Sequence, residues 1–211
     1  MAPHPDDEVF GCGGLISRLV KMNNAPHIAM LTGGEGSHRG CCAVAEMDIA
    51  KSRKDLALRA ARLFGVPEKN YSFIGFTDGS IPGQDNGSKE VNVLRKLIED
   101  LNPDMIFIPH RGEGWPDHLN AARIVRYIVK EQNRQVVFYE YPVWMWYYNV
   151  WNLDWKSACG IKLSKEEQEI KQNSIASYIS AAAPCGYPWV GRLPQLFIDL
   201  NSRDNEIFFK A

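Results

Sequence analysis

The chain has no C-x-x-C pair, no internal repeat and no low-complexity tract. It also lacks any apolar run near the ~20 residues that a membrane span needs. Its 24 basic and 25 acidic side chains nearly cancel, leaving a formal charge of −1. That balance makes no electrostatic case for nucleic acid or an anionic membrane surface as partner. The start carries neither the basic residues nor the apolar stretch of a secretory leader. Five cysteines (Cys12, Cys41, Cys42, Cys159 and Cys185) without paired spacing indicate neither a disulfide framework nor a thiolate zinc site. The adjacent Cys41 and Cys42 read as packing residues, and a reducing cytoplasm is the expected compartment.

What is present is an ordinary globular composition, 45% hydrophobic and 23% charged over 211 residues, which suits one domain. Apolar spacing predicts helices over Glu8–Met22, Val44–Phe64, Lys89–Leu101 and Ser164–Ile179. Gly65 is placed to stop the second of these. Asp117 is placed to cap a further helix running to Gln132. Short apolar runs at Pro26–Thr32, Tyr71–Phe76, Asp104–Pro109 and Gln135–Tyr141 read as strands, with a last one near Glu206–Phe209. Strands alternating with helices argue for an α/β fold, a mostly parallel sheet covered by helices on both faces. Residues 1–142 form its core, and 143–211 a small C-terminal lobe on the substrate side.

His4-Pro5-Asp6-Asp7-Glu8 packs one imidazole and three carboxylates into five residues, and Gly11-Cys12-Gly13-Gly14 follows. That is too much charge for a core, and a divalent cation would neutralise it. A second segment, Trp115-Pro116-Asp117-His118, opens a helix after a strand and loop. Sites in open α/β sheets lie at the carboxyl edge of the strands, where His4, Asp7 and His118 can converge. Two imidazoles and a carboxylate suit zinc and leave a position for water. Asp6 would then stand beside the water as general base and later general acid. Read singly, the pentapeptide could be a solvated turn, His118 a surface histidine and Arg53 an exposed helix residue. Glu8 reads as a first-turn charge answering the helix dipole.

In these segments the chain resembles the PIG-L/LmbE-like family of zinc-dependent N-acetylglucosaminyl deacetylases. The likeness runs through Leu31-Thr32-Gly33-Gly34-Glu35, Arg53 ahead of Gly65, Pro103-Asp104, Pro116-Asp117-His118 with Ala121, and Lys171 to Tyr178-Ile179-Ser180. It implies a Rossmann-like fold, a metal site of His4, Asp7 and His118, and Asp6 as base. It implies Zn²⁺ as cofactor, with Fe²⁺ as the alternative, and a substrate bearing an N-acetylated amino sugar. It further implies Arg53 reaching into the site, and homo-oligomers of unfixed number.

Two departures stand out. Many relatives carry histidine where this chain has Trp115, and an indole N–H donates a hydrogen bond but exchanges no proton. His110, His38 and Arg53 are the candidate replacement donors, and Arg53, His38, His110 and Trp115 the candidate substrate-binding residues. The motif also begins at residue 4, so a truncated first strand is expected: either the true start lies upstream, or the sheet is built around a gap that would leave a slot and His4 unsupported. The cluster Trp144, Trp146, Tyr147, Tyr148, Trp151 and Trp155 reads either as a sugar-stacking wall or as a hydrophobic lobe or subunit contact, the second being favoured. Rival readings are a metal-containing sugar-binding protein without turnover and another metal-assisted hydrolase such as a phosphoesterase.

Overall fold

The computed structural model describes residues 1–148, 150 and 153–211, so Trp151 lies outside the described residues. Among the described residues, six strands and seven α-helices follow in chain order. They are α1 (Asp7–Lys21), β1 (Ile28–Thr32), α2 (Glu46–Phe64), β2 (Tyr71–Phe76), α3 (Lys89–Leu101), β3 (Met105–Pro109) and α4 (Pro116–Glu131). After these come β4 (Val137–Tyr141), α5 (Met145–Tyr148), β5 (Ala158–Lys162), α6 (Lys165–Ile179), α7 (Gln195–Asn201) and β6 (Asn205–Lys210).

β1 pairs with β2 and β3 with β4, both in parallel. β6 adds antiparallel to β4, and β5 antiparallel to β6. Residues 1–3 lie between the two parallel pairs. The Ala2 N–H donates to Ala29 O at 2.8 Å, and Leu31 N–H to Ala2 O at 2.8 Å. On the other side the Met1 amine reaches Phe107 O at 2.9 Å. Thus the expected slot is bridged, and His4 is held. The backbone N–H of Thr32 and its hydroxyl both donate to Pro3 O, at 3.0 and 2.8 Å.

Helices cover both faces. On one, α1, α2 and α6 bury Val9, Phe10, Ala60, Ala61, Phe64, Ile175 and Tyr178. On the other, α3 and α4 bury Leu94, Ile98, Ile124, Val125 and Ile128. Gly65 ends α2 at φ 77°, the left-handed conformation expected of a C′ glycine. Ser164 caps α6 in a complete capping box with Glu167.

The glycines after the acidic motif serve close packing. A Cβ on Gly11 would sit 2.2 Å from the Tyr141 ring, and one on Gly14 would sit 2.3 Å from Leu163. Late-chain polar residues lock α1 from behind. Lys171 and Glu206 form a buried pair at 2.7 Å, and Lys171 also donates to Phe10 O at 3.0 Å. Glu206 accepts from the N–H groups of Gly14 and Leu15 at 2.7 and 2.8 Å.

Two local expectations are corrected. Trp115, not Asp117, is the N-cap of α4, with Pro116 opening the helix. The Asp117 carboxylate is committed elsewhere, accepting from Gly79 and Ile81 N–H at 2.7 and 3.2 Å. Glu8 is in the first turn but buried, bonded by the Tyr178 hydroxyl at 2.7 Å and the Asp6 N–H at 3.0 Å.

Candidate active site

The carboxyl ends of the parallel strands deliver the site. His4 follows residues 1–3, Gly34 follows β1, Asp78 follows β2, Glu113 follows β3, and α4 brings His118. Here lies a pocket of about 480 Å³ lined by His4, Asp6, Asp7, Arg53, Asp78, Trp115, Asp117, His118, Trp144 and Phe197, among others.

His4 and His118 face each other with ring centroids 5.5 Å apart. His4 Nδ1 lies 3.3 Å from Asp7 Oδ2, and His118 Nε2 lies 3.4 Å from the same oxygen. A tetrahedral zinc with ligands at ~2.0–2.1 Å sets such donors about 3.3–3.4 Å apart. Both spacings to Asp7 match a single ion, and the three donor atoms lie within 4.8 Å of one another, so the set fits a metal. The opposite ring nitrogens meet carboxylates, as ligating imidazoles usually do. His4 Nε2 lies 3.2 Å from Asp78 and 3.3 Å from Asp117, while His118 Nδ1 lies 3.4 Å from Glu113. Glu113 is itself anchored by the N–H groups of Val143, Trp144 and Met145, at 2.6, 3.0 and 3.2 Å.

The electrostatics ask for positive charge. Burial works against a charged His4, yet hydrogen bonds to Asp117, Asp7 and Asp78 raise it well above its ordinary value. Burial likewise opposes a charged His118, and Asp7 and Glu113 outweigh it, raising the imidazole. Asp78 is held down at about 2; burial opposes this, but its hydrogen bonds with His4 and the Gly36 N–H prevail. Asp6 behaves oppositely. Burial pushes it up to about 7 although the Arg53 guanidinium pulls it down. Its backbone sits at φ 133°, ψ −29°, a strained conformation for a non-glycine residue of the kind that concentrates at functional sites.

Arg53 comes from α2 and is buried. It donates to Gly34 O at 2.9 Å, to Pro5 O at 2.7 Å and to Asp6 Oδ2 at 3.2 Å. Gly34, at φ 65°, passes so close that a Cβ would meet the guanidinium carbon at 2.4 Å. The guanidinium thus fastens the loop after β1 to the acidic motif.

The model of the GlcNAc-PI de-N-acetylase (PIG-L) family matches residues 1–129, well over half of the chain. The chain belongs to the PIG-L family. Among curated proteins, this PIG-L chain is 27% identical over 154 residues to 2'-N-acetylparomamine deacetylase of Streptomyces fradiae, covering 66% of this chain and 54% of that protein. It spans about half the length of the curated relatives it matches. In structure it resembles a deacetylase of teicoplanin biosynthesis, with TM-score 0.71, 14% identity, 99% of this chain and 94% of the other. It also resembles GalB, the 4-carboxy-2-hydroxymuconate hydratase of Pseudomonas putida KT2440, with TM-score 0.65, 15% identity, 96% of this chain and 81% of the other. Such low identities establish the fold alone.

Of the residues expected in the site, this PIG-L chain brings His4, Asp6, Asp7, Arg53, Trp115 and His118 together at the pocket. His110 and His38 are not among its lining residues. The His110 ring packs on Phe209 at 4.9 Å, and its Nδ1 accepts from Gly112 N–H at 2.9 Å. His38 is turned toward sulfur: its Nδ1 lies 3.2 Å from Cys41. Cys41 and Cys42, expected to be packing residues, gather around it with Cys185. Sequence reasoning passed over Asp78 and Glu113, since an acidic residue in a loop carries no signal of the imidazole it will meet. Trp144 also lines the pocket, 4.2 Å from the Phe197 ring and 5.7 Å from that of Trp115. Trp146 and Trp155 pair with each other elsewhere, at 6.5 Å.

Proposed function

We propose that this chain hydrolyses the N-acetyl group of an amino sugar, releasing acetate and the free amine, with a divalent metal held by His4, Asp7 and His118. One observation carries the reading: both histidine nitrogens stand at single-ion spacing from Asp7, all three donors lie within 4.8 Å of one another, and a carboxylate that is not a ligand in this arrangement, Asp6, borders the same pocket. Zinc suits two imidazoles and one carboxylate, with ferrous iron the alternative. When bound, such a metal acidifies water and polarises a carbonyl oxygen.

The chain's own groups supply the rest. Asp6, raised to about 7 by burial, takes the proton that water loses as its oxygen attacks the acetamide carbon. The same carboxyl then returns it to the departing nitrogen. Arg53 aims Asp6 and fixes the loop above it. Asp78, Asp117 and Glu113 hold the two imidazoles in orientation. Trp115 and Trp144 offer aromatic faces to a sugar ring. Asp6, Asp7, Asp78 and Asp117 against Arg39 and Arg53 make this wall a poor host for a phosphate monoester.

Single-turnover acetate release from N-acetylglucosamine derivatives tests the proposal, with Asp6→Ala as control. Acetate from the parent protein and its loss in the variant support it. Tight sugar binding without acetate would make the chain a binding protein.

A further inference from the structure

A second cluster of potential ligands lies apart from the chemistry above. The loop after β1 supplies His38, Cys41 and Cys42, and the turn before α7 supplies Cys185. His38 Nδ1 lies 3.2 Å from Cys41 Sγ, 3.6 Å from Cys42 Sγ and 3.5 Å from Cys185 Sγ. Cys41 Sγ and Cys185 Sγ are 3.7 Å apart, and all four donor atoms fall within 4.8 Å of one another. A tetrahedral zinc with sulfurs at ~2.3 Å and a nitrogen at ~2.05 Å sets S···S at about 3.8 Å and N···S at about 3.6 Å.

The surroundings match as well. The other ring nitrogen of His38, Nε2, lies 3.0 Å from Pro188 O, where only an N–H is a fitting partner. That bond leaves Nδ1 as the lone-pair nitrogen facing the sulfurs, the usual outer-shell arrangement of a ligating histidine. The His38 ring is buried. Gly40 and Gly186, at φ 75° and 85°, provide tight turns next to Cys41 and Cys185. The Tyr187 N–H donates to Cys185 and lowers that thiol below its ordinary value.

We propose that His38, Cys41, Cys42 and Cys185 form a second, structural metal site, closed by four protein ligands and selective for zinc. Three thiolates and one imidazole are a soft donor set, and four protein ligands leave no position for water. The ion would tie the loop that carries Gly36 and Ser37 to the segment that carries Val190 and Leu193. Those four residues form one side of the pocket, and the Ser37 hydroxyl already donates to Trp189 O at 2.9 Å. The site would thus brace the pocket wall and take no part in the reaction. It stands on its own geometry, independent of the proposed deacetylation.

Metal analysis of a His118→Ala variant, purified under reducing conditions in the presence of zinc, tests the site with the first one disabled. About one zinc per chain is expected, falling to background in His118→Ala/Cys185→Ser. Cobalt exchanged into His118→Ala should show a thiolate-to-metal charge-transfer band that the double variant lacks. Should either variant fail to fold, the unmutated protein still decides the matter. Titration of its thiols with an organomercurial in the presence of a zinc indicator should release one equivalent of zinc. Zinc at background in His118→Ala, no zinc release with thiol titration, or a disulfide joining Cys185 to Cys41 or Cys42 in protein purified under reducing conditions would each overturn the proposal.

Discussion

Arg53 and Asp6 meet at 3.2 Å with both side chains buried, although 47 residues separate them in the chain. The contact holds the carboxylate that serves as base in the proposed reaction, and two further Arg53 bonds to backbone oxygens fix the guanidinium in turn. Asp6→Asn keeps the shape of this contact and removes the proton acceptor. Acetate release should fall by about 10²–10⁴ in kcat, the usual range for general acid–base catalysis, with KM and bound metal little changed. Loss of metal along with activity would instead make Asp6 a ligand.

Trp115 is half exposed at the pocket mouth, 5.7 Å from the Trp144 ring, so an imidazole fits in its place. Trp115→His restores a group that can exchange a proton where indole cannot. One donor at a developing oxyanion contributes about 10²–10³ in rate, and kcat should rise toward that range. Steady-state kinetics on one N-acetylated substrate measure it. An unchanged kcat would show that other groups already fill the role.

Gly11→Ala places a methyl carbon 2.2 Å from the Tyr141 ring, which is itself fully buried. Overpacking of this kind costs about 1–3 kcal/mol, more than the ~1 kcal/mol that alanine gains over glycine in a helix. Thermal unfolding should therefore come at a lower temperature. Gly13→Ala is the milder contrast, since its nearest neighbour, the Lys171 Cγ, lies farther off at 3.0 Å. Calorimetry should rank Gly13→Ala clearly above Gly11→Ala.

Glu167 both closes the capping box of α6 and accepts a two-pronged contact from Arg18, at 3.0 and 2.7 Å. The Arg18 bonds, with the cap, hold its carboxyl at about 2, below the ordinary 4.5. A depressed folded value means stability that is present above the ordinary value and lost as pH falls toward 2. Glu167→Gln should cost about 1 kcal/mol near neutrality, or roughly 2–4 °C in Tm. The gap between variant and parent should close between about pH 5 and about pH 2. Melting curves across that range test the sign.

The alternation of strands and helices was legible because each long element declares its own period. Tyr71–Phe76 and Lys89–Leu101 coincide with the observed β2 and α3. β5 escaped notice because Ala158-Cys159-Gly160-Ile161-Lys162 has little apolar pattern; its register is imposed by β6 alone. α7 is a seven-residue helix, too short to show a period of its own. In the site, His4, Asp7 and His118 stand in dense local motifs and could be read directly. Asp78 and Glu113 could not, since each gains its role only when the sheet carries it to an imidazole. The sulfur cluster was hidden for the same reason: Cys185 is 143 residues beyond Cys42, and no local spacing betrays the meeting.

Helix α1 begins with Asp7 and, one turn on, presses Gly11 against Tyr141, whose hydroxyl donates to Met1 O at 2.6 Å, three residues before His4. Robustness and reactivity are therefore mechanically a single part in this molecule. An engineer who repacks Tyr141 for heat tolerance also steers the first histidine. Anyone grafting the acidic pentapeptide onto another scaffold must carry over the aromatic plate and the small-residue helix face that seat it.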